Sequence, residues 1–139
     1  MVIAVLFIYM EKLPESEKEW REKLSDEEYR ILREAGTEPR FSGDYLDLKD
    51  EGVFKCAGCD AELFDTSHKF ESGTGWPSFY DVVDSQHIET KVDKSHGMER
   101  IEVTCGTCDG HLGHVFEDGP DPTGKRYCIN SGALEFEEE

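Results

Sequence analysis

No stretch of this 139-residue chain is both long and apolar enough to cross a bilayer. The best candidate, Met1 to Met10, is too short, and it lacks both the basic n-region and the small-residue cleavage site of an export signal. Basic residues are also scarce: 15 Lys and Arg stand against 32 Asp and Glu, a formal net charge of -17. A phosphate backbone rewards cations and repels carboxylates, so nucleic acid is excluded as a partner. No membrane partner is expected either. The acidity implies solubility, or a salty cytosol. Cysteine is limited to five residues, and an odd count without an export signal points to thiols kept reduced in a cytoplasmic location.

What the chain does have is enough material for one domain, which at this length buries roughly 68% of the surface exposed by its unfolded form. Hydrophobic content is 37% and charged content 34%, yet eight Phe, five Tyr and two Trp argue against disorder. The status of the apolar segment 1–10 stays open between an upstream start ahead of the polar Met10-Glu11-Lys12-Leu13-Pro14 and an added edge strand or anchor. Residues 11–139 read as a single domain.

Near Phe41 the pattern changes. Before it, Ser16-Glu17-Lys18-Glu19 and Ser25-Asp26-Glu27-Glu28 fit capping boxes, where hydroxyl and carboxylate satisfy free backbone N–H groups at a helix start. Two short helices are predicted there. Leu24 and Tyr29 are spaced as a hydrophobic staple, Tyr29, Ile31, Leu32 and Ala35 give the second helix a buried side, and Gly36 followed by Pro39 supplies its stop. Beyond Phe41, short strands alternate with turn residues. Val53 to Lys55 and Glu62 to Phe64 form one predicted hairpin. Ile88, Thr90 and Val92 pair with Ile101 and Val103 in another, turning at Ser95-His96-Gly97. Gly119 to Gly124 is a loop, and Glu137-Glu138-Glu139 reads as a solvated end.

Cys56-x-x-Cys59 and Cys105-x-x-Cys108 are knuckles suited to one tetrahedral zinc, since four thiolates close the coordination shell and leave no position for chemistry. Such a zinc is structural. It would join two hairpins distant in sequence and supply about 10 kcal/mol or more, comparable with the ~5 to 15 kcal/mol stability of a whole domain. The competing readings are a thioredoxin-like redox pair, for which no βαβ unit is present, and buried unliganded thiols.

Cys128 remains. In a strand Arg126-Tyr127-Cys128-Ile129-Asn130, the period of two puts Arg126, Cys128 and Asn130 on one face and Tyr127 with Ile129 on the other. A free cysteine is more often a packed core residue, but these neighbours are polar. An unperturbed thiol is about 3% thiolate at pH 7, and a pKa lowered to about 7 makes it roughly half thiolate. Arg126 is placed to supply part of that shift, and Asn130 to donate a hydrogen bond.

His111 and His114 flank Gly113. A regular strand would point them to opposite faces, so they serve one site only if the backbone bulges, for which Gly113 is suited. A histidine there is the natural proton donor near neutral pH. His68, His87 and His96 lie in polar or turn-like contexts and are assigned no role. Ser72-Gly73-Thr74-Gly75-Trp76-Pro77-Ser78-Phe79 reads either as a packed turn or as a binding loop.

Taken together, Gly73 to Phe79, Gly110-His111-Leu112-Gly113-His114-Val115-Phe116 with Asp118-Gly119-Pro120, Arg126 to Ser131 and both knuckles resemble the peptide-methionine (R)-S-oxide reductases, the MsrB family, from about Glu17 to Phe136. The resemblance implies a mostly β (α+β) fold of two antiparallel sheets with short N-terminal helices and a four-cysteine zinc site. It makes residues 11–139 one catalytic domain, expected as a monomer, acting on methionine sulfoxide of R configuration, protein-bound or free. By motif, Cys128 resembles the nucleophile and His114 the principal proton donor. His111 and Asn130 resemble partners that organise the sulfoxide oxygen and its water. Trp76 resembles the indole wall that receives the methyl group, with Arg126 and Asp118 as supporting charges. Cys56, Cys59, Cys105 and Cys108 resemble the zinc ligands.

The sequence departs from the family at Thr74, where many members carry the cysteine that resolves a sulfenic acid by an internal disulfide. Cys128 is therefore expected to be regenerated by an external thiol, with thioredoxin first and glutaredoxin or a small thiol next. Two rivals come from other classes: a zinc-stapled interaction module with an inert Cys128, and a Cys-His hydrolase.

Overall fold

Two serine-capped helices come first in the computed structural model, which describes residues 14–138. The apolar segment 1–10 lies outside the described residues. Helix α1 (Glu17–Lys23) begins where the Ser16 hydroxyl accepts the Glu19 N–H. Helix α2 (Asp26–Glu34) begins on a complete capping box between Ser25 and Glu28. The first box is half made, because the Glu19 carboxylate accepts from the Glu15 N–H, at 2.8 Å, instead of from Ser16. Leu24 and Tyr29 are both buried, as a staple requires. Tyr29, Ile31 and Leu32 form the buried side of α2, but Ala35 is exposed. Ala35 itself takes the left-handed cap position (φ 54), one residue before the glycine, and the Gly36 N–H closes onto the Arg30 carbonyl.

The rest of the described chain is strand, turn and short 3-10 helix. The strands are β1 (Gly52–Cys56), β2 (Glu62–Asp65), β3 (Lys69–Phe70), β4 (Ser78–Phe79), β5 (Ile88–Asp93), β6 (Arg100–Cys105), β7 (His111–Phe116), β8 (Arg126–Ile129) and β9 (Leu134–Glu138). They form two antiparallel sheets, one ordered β2-β1-β9 and the other β3-β4-β8-β7-β6-β5. The fold is therefore mostly β, as expected. Aromatic side chains join the two sheets: Phe64 stacks on Phe79 at 4.5 Å between centroids, Phe54 meets Phe79 edge-on at 5.3 Å, and all three are fully buried. Such pairs contribute about 0.5–1.5 kcal/mol each beyond the area they bury.

Two expectations change. Glu137 and Glu138 belong to β9 and pair with Val53 and Gly52 of β1, with Lys55 bonded to Glu137 at 2.6 Å, so they are not a loose tail. Along β5 the alternation of Ile88, Thr90 and Val92 marks no buried face, since Thr90 and Val92 are exposed. β5 is an edge strand, and its outer half supports β6 without contributing to the core.

Candidate active site

Both knuckles are hairpin turns, one between β1 and β2, the other between β6 and β7, and they are built alike. In each, the residue after the second cysteine returns its N–H to the carbonyl of the first: Asp60 to Cys56 and Asp109 to Cys105, both at 2.9 Å. Both aspartates take positive φ, 66 and 63, the turn that aims two sulfurs the same way. The Sγ atoms of Cys56, Cys59, Cys105 and Cys108 all lie within 4.8 Å of one another. Contacts of 3.6 Å (Cys56 to Cys108) and 3.4 Å (Cys59 to Cys105) are far longer than a disulfide bond, and all four cysteines are free. The Gly58 N–H points at Cys56 Sγ and the Thr107 N–H at Cys105 Sγ, donors that favour the thiolate form. Four convergent sulfurs with such donors fit a metal ion in a closed shell.

The N-terminal helices cover these turns. Trp20 is buried, Arg33 lies 4.6 Å from its ring centroid and donates to the Cys108 carbonyl at 2.9 Å, and Lys23 bonds the Gly58 carbonyl. No motif in the sequence marks these basic residues as partners of the knuckles.

Cys128 stands apart, midway along β8. Pairing sets Ser78 of β4 opposite it on one side and His114 of β7 on the other. β7 comes this close because Gly113 has no side chain: a Cβ there would lie 2.0 Å from the Cys128 carbonyl oxygen. Cys128, Trp76 and His114 line one cleft of about 520 Å³, together with Thr74, Arg126 and Asn130. Tyr127 and Ile129 face the core, so the alternation predicted for this strand holds. The Thr74 hydroxyl lies 3.8 Å from Cys128 Sγ.

Arg126 does not make Cys128 a ready thiolate. Burial pushes the thiol pKa up, and although the Thr74 hydroxyl, Arg126 and Arg40 all pull it down, burial dominates. Arg126 is itself engaged by Asp118, with Nε and one terminal nitrogen donating to the two carboxylate oxygens at 2.9 and 3.2 Å. That pairing holds the Asp118 carboxyl below its ordinary range. Asn130 does not donate to Cys128 either. Its Nδ2 donates to the Leu112 carbonyl at 3.1 Å, and its Oδ1 accepts the Glu38 N–H at 3.0 Å.

The bulge required of β7 is present. Val103 pairs with Gly113 and Thr104 with His111, so Leu112, not Gly113, is the extra residue. The two imidazoles are consequently neighbours, with centroids 5.5 Å apart. Each meets a carboxylate that no sequence motif marks. His111 Nδ1 is 2.6 Å from Glu102, and His114 Nε2 is 2.8 Å from Asp93. Burial pushes the His114 pKa down, while the Asp93 carboxylate opposes that shift.

Glu38, also missed, organises the cleft wall. Its carboxylate is buried and accepts the Ser131 and Gly132 N–H groups, each at 2.9 Å, at the start of a short 3-10 helix. Its carbonyl accepts the Trp76 indole N–H at 2.9 Å. The indole orientation is thereby set. An apolar wall, a thiol, an imidazole and a guanidinium around one small opening suit nucleophilic attack by sulfur with proton delivery to a leaving oxygen.

Comparison with known proteins agrees with this chemistry. Residues 24–138 match the family model described as the SelR domain. The chain is 58% identical over 124 residues to a protein of Methanosarcina barkeri named peptide methionine sulfoxide reductase MsrB, covering 89% of this chain and 87% of that one. A protein of Thiobacillus denitrificans with the same name is 54% identical over 123 residues, 88% of this chain and 93% of that one. Among solved structures, the Mis18 "Yippee-like" domain superposes with a TM-score of 0.52 at 18% identity, over 64% of this chain and 97% of that one. That likeness is one of fold alone.

Proposed function

Because the chain belongs to the SelR-domain family and is a methionine sulfoxide reductase of the MsrB type, we propose that Cys128 is the nucleophile. Its sulfur attacks the sulfoxide sulfur, and the oxygen, protonated as it leaves, ends on Cys128. The products are methionine and a Cys128 sulfenic acid. Two equivalents of an external thiol then return Cys128 to the thiol, releasing water and a disulfide. Protein-bound methionine R-sulfoxide is the substrate, and thioredoxin or another thiol supplies the electrons. With the family shown, the interaction-module and hydrolase readings fall away.

The observation that carries this reading is the isolation of one sulfur. Cys128 lines a cleft with Trp76 and His114, whereas the other four cysteines converge elsewhere. His114 is the proton donor, and His111 and Asn130 support the oxygen-binding side from behind. Trp76 receives the methyl group, while the Arg126–Asp118 pair fixes charge at the rim. Arg126 lowers the Cys128 pKa even though burial prevails, and the proton that the thiol gives up balances the one that His114 delivers to the sulfoxide oxygen.

Zinc is the metal we assign to Cys56, Cys59, Cys105 and Cys108, where it supplies cross-linking and no chemistry. Separate R and S sulfoxides assayed with dithiothreitol test the reading. Consumption of R, together with a dimedone adduct on Cys128 after one turnover without reductant, is expected. Preferential loss of S, or a Cys128 disulfide to a zinc-site cysteine, would overturn it.

A further inference from the structure

Three arginines line the cleft of a chain whose formal net charge is -17. Two are engaged: Arg126 with Asp118, and Arg100 with Asp93 at 3.6 Å. Arg40 has no acidic partner among the described residues, and it is exposed. Its guanidinium carbon lies 5.0 Å from the centroid of the Trp76 ring.

This placement is held by the backbone on both sides of Arg40. The Glu38 carbonyl accepts the Trp76 indole N–H at 2.9 Å, and the Phe41 N–H donates to the Gly75 carbonyl at 2.8 Å. Phe41 takes a left-handed φ of 63 to make that turn. Gly75, at φ +94, lets the two segments touch, since a Cβ there would stand 2.8 Å from Arg40 Cβ. A guanidinium lying over a ring engages its face and keeps its N–H edge available, and that edge matches a carboxylate bidentately.

We propose that Arg40 forms a carboxylate-binding subsite beside the sulfoxide pocket, favouring substrates that carry a negative charge next to the oxidised methionine. The inference rests on the sulfoxide-reductase reading and deepens it by naming a substrate class. The carboxylate has two possible sources: an acidic residue flanking the sulfoxide in a protein, or the α-carboxylate of the free amino acid.

The test compares three R-sulfoxide substrates under dithiothreitol: a peptide amide with alanine neighbours, the same peptide with aspartate neighbours, and free methionine sulfoxide. Each is measured with the full chain, with Arg40→Ala and with Arg40→Lys. Because Arg40 also acts on Cys128, the readout is the ratio of kcat/KM between charged and neutral substrates, in which a common effect cancels. The unaltered chain should prefer at least one charged substrate about fivefold to tenfold, the scale of a partly exposed charge-assisted hydrogen bond. Whichever charged substrate shows the preference identifies the source. Arg40→Ala should abolish the preference, mainly through KM, while Arg40→Lys should retain part of it. Equal loss on all three substrates would show that Arg40 only braces Trp76 and would overturn the proposal, as would an unaltered chain with no preference. Failure to reduce any R-sulfoxide would instead defeat the underlying reading.

Discussion

The knuckles and the cleft use the same side chain to opposite ends. Four cysteine sulfurs lie within 4.8 Å of one another, each on a tight turn and two of them with backbone N–H groups pointed at them, under a helical cover that includes Trp20 and Arg33. The fifth sulfur has a hydroxyl 3.8 Å away, an imidazole on the neighbouring strand and an opening of about 520 Å³. Geometry that gathers four sulfurs suits them to hold a metal, and geometry that leaves one sulfur an open side suits it to react. Residue type decides neither.

The sharpest way to break this contrast is to exchange serine for sulfur in each place. Cys56→Ser removes a ligand from a site whose binding energy, on the order of 10 kcal/mol, rivals the stability of a domain, so the fold should be lost along with the metal. Cys128→Ser should melt within a few degrees of the unaltered protein and lose on the order of a thousandfold or more in kcat/KM. Similar thermal melts for the two variants would erase the distinction between them.

Gly113→Ala attacks the cleft through its backbone. With a Cβ 2.0 Å from the Cys128 carbonyl, β7 and β8 must separate. A stability loss of roughly 1–3 kcal/mol is expected in denaturant titration, with a fall in kcat larger than the rise in KM. Unchanged kcat would mean that the His114 to Cys128 alignment does not matter.

Thr74→Cys gives the chain a sixth cysteine and the cleft a second thiol. Since Thr74 Oγ1 already stands 3.8 Å from Cys128 Sγ, a modest side-chain adjustment brings two sulfurs to bonding distance. Peptide mapping after one turnover should find a 74 to 128 disulfide, and dimedone trapping should decline in step. Persistence of the full dimedone adduct would argue against that reach.

The smallest expected effect is a shift in a titration. Asp93 works against burial to raise the His114 pKa, so Asp93→Asn leaves burial unopposed. The His114 titration followed by NMR should move to lower pH, and the limb of the kcat/KM profile that we assign to protonated His114 should move with it. An upward shift would show that the Asp93 contact is not formed in solution.

Local signals were readable in the sequence. Ser25 and Glu28 form the box their spacing announces, the knuckles fold as hairpin turns, and Arg126 to Ile129 alternates as a strand should. The partners that tune those groups were not readable, because strand register assembles them. Asp93 reaches His114 across a strand that lies between them in the sheet, and Glu102 meets His111 only because Leu112 bulges. Glu38 was missed for a related reason. A carboxylate in a loop resembles any solvated acid until its 2% exposure is known, and the groups it serves lie 93 and 94 positions away. The expectation of an activated Cys128 failed on the same ground, since nearby charge is legible in sequence and burial is not.

Strand β9 lies on an edge of its sheet, and its exposed residues Glu135, Glu137 and Glu138 carry three carboxylates along that margin. Unpaired edges invite strands from other chains, and a row of like charges deters them. The margin of β9 is thereby kept from extending the sheet with a strand of another chain, so the edge farthest in sequence from the helices needs no cover.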